Sequence, residues 1–224
     1  MIVAQSDRWN PGRFVQTLDF FDSIPIVSTL KQMVSGSDAP TPPPLQSGIL
    51  FDFSKPDANA VAIWGPLDDV VMGGVSDSGF RLEADYAVFT GTVSTANSGG
   101  FASVRTRNFK PPLNLATYQG IELQVQGDGQ RYKFFLRDQD GWDALAYGYS
   151  FDTTRDEWVT VQIPFDQLTP VFRAKTQPEA SPFNPSSIRS IQLMLSKFEY
   201  DKALNPHFEP GPFYLRIRQI SAFR

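Results

Sequence analysis

The chain has 224 residues, 41% of them hydrophobic, a formal net charge of -4 and a sequence pI of about 5.0. That length and apolar share suffice for one sizeable core, and the absence of a basic block argues against nucleic acid as a partner, since phosphate binding needs concentrated Lys and Arg. There are no cysteines, which excludes disulfides, thiolate metal sites, iron–sulfur clusters and cysteine nucleophiles.

The N-terminal residues lack a basic start followed by an apolar run, so they do not read as a secretory signal. No apolar run approaches the roughly 18 residues of a spanning helix, so the chain reads as soluble and cytoplasmic. Residues 1–35 carry Phe14, Leu18 and Phe21, then Ile26, Val27, Leu30, Met33 and Val34, at helical spacing. This predicts a helical arm, with Pro25 separating two short helices. The arm's polar side mixes Arg8, Arg13 and Lys31 with Asp7, Asp19 and Asp22, a poor match for anionic lipid. Packing on the rest of the chain or on a partner fits it better. Residues 36–48 are polar and proline-rich and predict an extended linker.

From residue 49 onward the pattern predicts strands. They fall at 49–53, 86–94, 101–107, 120–127, 131–138, 145–151, 157–165, 187–197 and 213–223. In 120–127, Ile121, Leu123 and Val125 alternate with Glu122, Gln124 and Gln126, so one face is apolar. Turn residues separate the runs. About nine or ten short strands without alternating helices predict an all-β antiparallel sandwich or jelly roll over residues 49–224.

Several residues could carry chemistry. His207 is the single histidine, in a loop ahead of the last strand, and it would have to serve any Ser-His-Asp triad or zinc site. Asp138, Asp140 and Asp143 are spaced like the start of a calcium loop, but the bidentate Glu further on is missing; an Asp-Gly hairpin turn accounts for them. Asp128, between two glycines, has the same reading. Asp68 and Asp69 are adjacent, so in an extended strand they would point to opposite faces and could not flank one glycosidic bond. Gly73 and Gly74 match no phosphate-loop spacing. The chain is therefore expected to be non-enzymatic, with no cofactor and no metal.

The stretch from Trp64 to Phe80, WGPLDDVVMGGVSDSGF, resembles the opening signature of the CIA30 family, the complex I intermediate-associated protein 30 domain. Trp64, Asp69, Val71, Met72, Gly73, Gly74 and Ser76 match it, and Asp68 stands where the family often has Asn or Ser. Three later stretches continue the resemblance: Phe89–Arg107 with its Asn-Ser-Gly-Gly-Phe-Ala-Ser run, Gly120–Arg137 with Gly-Asp-Gly-x-x-Tyr, and Glu157–Lys175, where Ala174 replaces a common Gly. The resemblance covers about residues 49–224 and leaves 1–48 outside. It implies a galactose-binding-like β-sandwich and a non-catalytic assembly factor or chaperone. The client would be a membrane complex, either complex I, its photosynthetic NDH-1 counterpart or a photosystem, with peripheral association to the inner or thylakoid membrane.

Within the signature, Gly73 and Gly74 are expected to turn at positive φ. Asp69 and Ser76 are expected to fix the turn by hydrogen bonds, with Trp64 and Met72 packed beneath it. Exposed aromatic contacts to protein subunits are expected at Trp142, Tyr147 and Tyr149, and in the arm at Trp9, Phe14, Phe20 and Phe21. A carbohydrate-binding module is the alternative, with Trp142 stacking on a sugar and Asp140 bonding to it.

Overall fold

The fold is seen in a computed structural model that describes residues 10–20 (18 and 19 by backbone alone), 39–55, 57–141 and 144–224. Trp9, Phe21, Trp142, Asp143 and the second helix expected in the arm lie outside these residues.

Helix α1 spans Pro11–Phe20. Its start is set locally: the Asn10 side chain accepts from Arg13 N at 3.2 Å, and Pro11 sits at the first helical position, where its missing N–H is no loss. The described part of the proline-rich segment lies on the body. Pro40 O accepts from Lys110 N, and Leu45 packs against the core.

Thirteen strands and a short helix follow. They are β1 (Ile49–Asp52), α2 (Ala58–Ala62), β2 (Trp64–Pro66), β3 (Asp77–Leu82), β4 (Ala87–Val93), β5 (Phe101–Thr106), β6 (Gly120–Gly127) and β7 (Arg131–Arg137), then β8 (Ala146–Asp152), β9 (Trp158–Pro164), β10 (Thr169–Phe172), β11 (Lys175–Thr176), β12 (Ser190–Ser196) and β13 (Gly211–Phe223). Every pairing between them is antiparallel. One sheet runs β3-β4-β13-β6-β9, with β1 also on β13; the other runs β11-β10-β8-β7-β12-β5-β2. The chain is an antiparallel β-sandwich.

Alternation builds the core. Ile121, Leu123 and Val125 of β6 meet Tyr132, Phe134 and Leu136 of β7 and Ile191, Leu193 and Leu195 of β12, all fully buried. In β13 the register slips between Ile217 and Gln219, so Ile217 and Ile220, three apart, both point inward. The carbonyl of Arg218, the extra residue, accepts from Phe53 N at 2.9 Å. Phe51 of β1 and Phe53 just beyond it stack at 5.6 Å and meet Trp64 and Phe80 edge-on.

Candidate functional site

The signature stretch closes on itself. Its first and last residues, Trp64 and Phe80, stack with centroids 4.6 Å apart. Between them, Asp69–Met72 form a 3-10 turn that Gly73 ends at φ 91. Gly74 serves differently, because a Cβ there would overlap the Asp69 carboxylate. Met72 corrects an expectation. It does not pack beneath the turn but is 71% exposed, on the outer side of the helical turn.

The backbone bends where the two acids meet, so each carboxylate acquires its own set of donors. Asp69, fully buried, accepts from Ser76 N at 2.9 Å, Ser76 Oγ at 2.7 Å, Gly100 N at 2.8 Å and Phe101 N at 3.3 Å. Asp68 accepts from Ser78 N at 3.0 Å, Ser78 Oγ at 2.5 Å and Ser103 N at 3.0 Å. Two stretches that resemble the family at separate places in sequence, 64–80 and 89–107, are thus tied to each other by adjacent carboxylates. Burial pushes the Asp68 carboxyl up to about 7, against the pull of Ser78, Ser103 and Arg13. These acids are occupied by fixed donors, and their chemistry is to hold segments together.

Helix α1 docks on this motif. The Arg13 guanidinium reaches Asp68 Oδ2 at 3.1 Å and the carbonyl of Ser76 at 3.1 Å, and it pairs with Asp77. Thr17 is buried one turn on, and the Phe20 ring lies over Gly65, with Arg107 4.4 Å above it. The docking stripe is therefore Arg13, Thr17 and Phe20, at spacings of four and three. The residue contacting Phe20 is glycine because any Cβ would enter the ring. Gly65→Val is expected to undock α1, and trypsin should then cut after Arg13 roughly tenfold faster than in the parent chain. An unchanged cleavage rate would mean that Phe20 is not what seats the helix.

A second acid knot lies at the 127–132 turn. Asp128 is buried and accepts from Gln130 N, Gln130 Nε2, Tyr132 Oη and Tyr214 N. An Asp-Gly turn alone accounts for the bond from Gln130 N but not for those from Tyr132 and Tyr214. The tyrosine four residues on was the available signal, since a fully buried phenol must find an acceptor.

The outer face of the seven-stranded sheet carries an open pocket of about 360 Å³ between β7, β8 and β10. Arg131, Tyr149, Ser150, Gln167, Thr169, Glu199 and Tyr200 line it. Glu199 is fixed by Arg131 Nε at 3.1 Å and Ser150 Oγ at 2.6 Å. Of the aromatics expected as exposed contacts, Tyr149 is half-buried: its strand position borders this pocket, but it shares the parity of Tyr147, pairs with the buried Phe134 and packs against the core. Tyr147 is a correction: it is 1% exposed, because alternation in β8 turns it into the core, where its hydroxyl donates to Ser181 O. Phe14 and Phe20 are half-buried, Phe20 on this chain's own body. The acids spaced like a calcium loop do not converge. Asp138 accepts from Asn184 N, and Asp140 pairs with Arg189. Among the described residues, no group of three or more His, Cys, Asp or Glu is placed to hold a metal. His207 Nδ1 lies 2.9 Å from Asp152 at the surface.

The family model for Complex I intermediate-associated protein 30 (CIA30) matches residues 51–217. The chain belongs to the CIA30 family. Membership implies association with complex I assembly. No protein of curated function gives a significant match. Among solved structures, the fold is similar to a Family 11 Carbohydrate-Binding Module from Clostridium thermocellum bound to a beta-1,3-1,4-mixed-linked tetrasaccharide. That likeness has 17% identity and a TM-score of 0.55, over 79% of this chain and 94% of that one. The same module of the cellulosomal cellulase Lic26A-Cel5E of Clostridium thermocellum is similar at 15% identity and a TM-score of 0.56, over 78% and 92%. At such identities the likeness establishes the sandwich architecture of this CIA30 chain and nothing of its ligands.

Proposed function

We propose that this CIA30 protein is a non-catalytic assembly or scaffold factor that binds subunits or intermediates of a membrane-bound electron-transfer complex. The family match carries the reading. It is supported by the state of the signature acids: Asp68 and Asp69 are held by amide and hydroxyl donors from separate segments, which suits a rigid docking body. The client is complex I, its photosynthetic NDH-1 counterpart or a photosystem, met at the membrane surface. Among the described residues no helix is long and apolar enough to cross a membrane. The tagged full chain, added to gently solubilised membranes, is expected to capture a defined set of subunits from one complex. Recovery of the chain alone would sink the assembly reading.

A second reading is a module that binds carbohydrate at the open pocket, whose polar lining suits a sugar's hydroxyls. Its test is a melting curve with saturating mixed-linked β-glucan oligosaccharide. A rise of several degrees would favour it, and no shift would end it.

A further inference from the structure

We propose that the β10–β11 turn and the 197–205 loop together form a contact for an anionic lipid surface. The two turns are joined: Asp201 N donates to Ala174 O, and the Asp201 carboxylate accepts from Thr176 N and Thr176 Oγ1. On them stand Phe172, Phe198 and Leu204, at 38%, 40% and 65% exposure. They are three of the six exposed large hydrophobic side chains among the described residues, so the patch is a concentration and not a scatter.

Four cations surround them. Arg173 lies over the Phe172 ring and Lys197 over the Phe198 ring, while Lys175 and Lys202 are exposed beside them. Asp201 is the exposed acid within these turns, and its oxygens are turned to Thr176. The whole chain is net negative, so attraction to an anionic surface must come from a local patch within a Debye length of about 8–10 Å.

The apolar tips are held rigidly. The buried Lys133 Nζ donates to the carbonyls of Phe198 and Glu199, and the buried Asn205 Nδ2 donates to Arg131 O and Ser196 O. Phe198 and Leu204 face each other across a bridge. Arg173, Ala174, Asp201 and Lys202 all have positive φ, a conformation that needs support from its surroundings.

The three lysines and the leucine favour lipid over protein. Lysine is depleted in protein interfaces and leucine is under-represented among their hot spots. At a bilayer surface, Phe and Leu enter the acyl boundary while lysines reach the headgroups. The inference is separate from the assembly reading, because it concerns lipid alone and is read without any client.

The test is co-sedimentation of the full chain with vesicles of phosphatidylcholine alone and of phosphatidylcholine mixed with phosphatidylglycerol. Binding is expected to the mixed vesicles and to weaken with added salt. Lys175→Glu, Lys197→Glu and Lys202→Glu together should reduce it by roughly tenfold or more. Phe172→Ser, Phe198→Ser and Leu204→Ser together should reduce it also, with circular dichroism and melting temperature kept. Five of these six side chains are exposed and Lys197 is half-buried, so neither triple variant empties the core. Absence of binding by the parent chain, or binding unaltered in both variants, overturns the inference. If the parent chain ignores vesicles but the variants lose subunits captured by the tagged chain, the patch is a protein interface and the lipid contact is overturned, while the assembly reading stands.

Discussion

Asp69→Ala is expected to lower the free energy of unfolding by about 4 kcal/mol, a large share of what a domain this size has. The substitution removes one small side chain but strands three backbone donors, Ser76 N, Gly100 N and Phe101 N, and leaves the Ser76 hydroxyl only the Ser94 carbonyl at 3.4 Å. A buried donor without an acceptor costs about 1–3 kcal/mol, and the space vacated beside Gly74 is too confined for easy repacking. Asp69→Asn keeps one acceptor oxygen and should lose about half as much. Urea unfolding of the three proteins measures this. If Asp69→Ala unfolded at the parent midpoint, the carboxylate would not be what joins the two segments.

The second large effect is a dependence on pH carried by Asp68. Its carboxyl is buried, and desolvation raises it from 3.8 to about 7 in the folded chain. A carboxyl with a higher folded than unfolded value binds its proton more tightly when folded. Its contribution to stability is complete below the unfolded value and is lost as pH rises through the folded one. Between pH 4 and pH 7 this one group should therefore remove stability steadily, on the order of 1 kcal/mol per pH unit, levelling off above pH 7. The comparison is with Asp68→Asn, which cannot titrate. Whatever the variant's absolute stability, its curve against pH should lack this slope, and parallel curves would rule the effect out. Above pH 7 the ionised carboxylate meets Arg13 at 3.1 Å, so protonation also removes a charged partner of α1 and leaves it Asp77 and the Ser76 carbonyl. Trypsin cleavage after Arg13 followed from pH 8 to pH 6 reads that part separately.

Nine strands were legible because their residues alternate or run apolar between turn residues. β6 matches its expected bounds at Gly120–Gly127, and the others shift at their ends. The strands that escaped had no such pattern. β2 is three residues with a proline, β3 begins Asp-Ser-Gly, and β10 and β11 are four and two residues long with Pro170 between core positions. Their partners define them: β2 exists because Trp64, Gly65 and Pro66 lie along Thr106, Arg105 and Val104. Tyr147 shows the opposite failure. A tyrosine beside a turn reads as a surface contact, yet strand parity, counted from its pairing with Leu136, places it inside.

By itself the sequence determined what depends on neighbours along the chain. The period-2 alternation of β6, the Asn10–Pro11 start of α1 and the positive-φ glycine at the end of the signature turn are local, and each follows from sterics or side-chain chemistry within a few residues. The signature's family was readable for the same reason, as a string. Tertiary structure alone decided which donors the acids would meet. Asp69 is bonded 31 residues away at Gly100, Asp68 is bonded 35 away at Ser103 and 55 away at Arg13, and Asp128 is bonded 86 away at Tyr214. A buried carboxylate must be satisfied, but which distant amide satisfies it is set only when the two sheets close over the core and bring those loops to the same end of the sandwich.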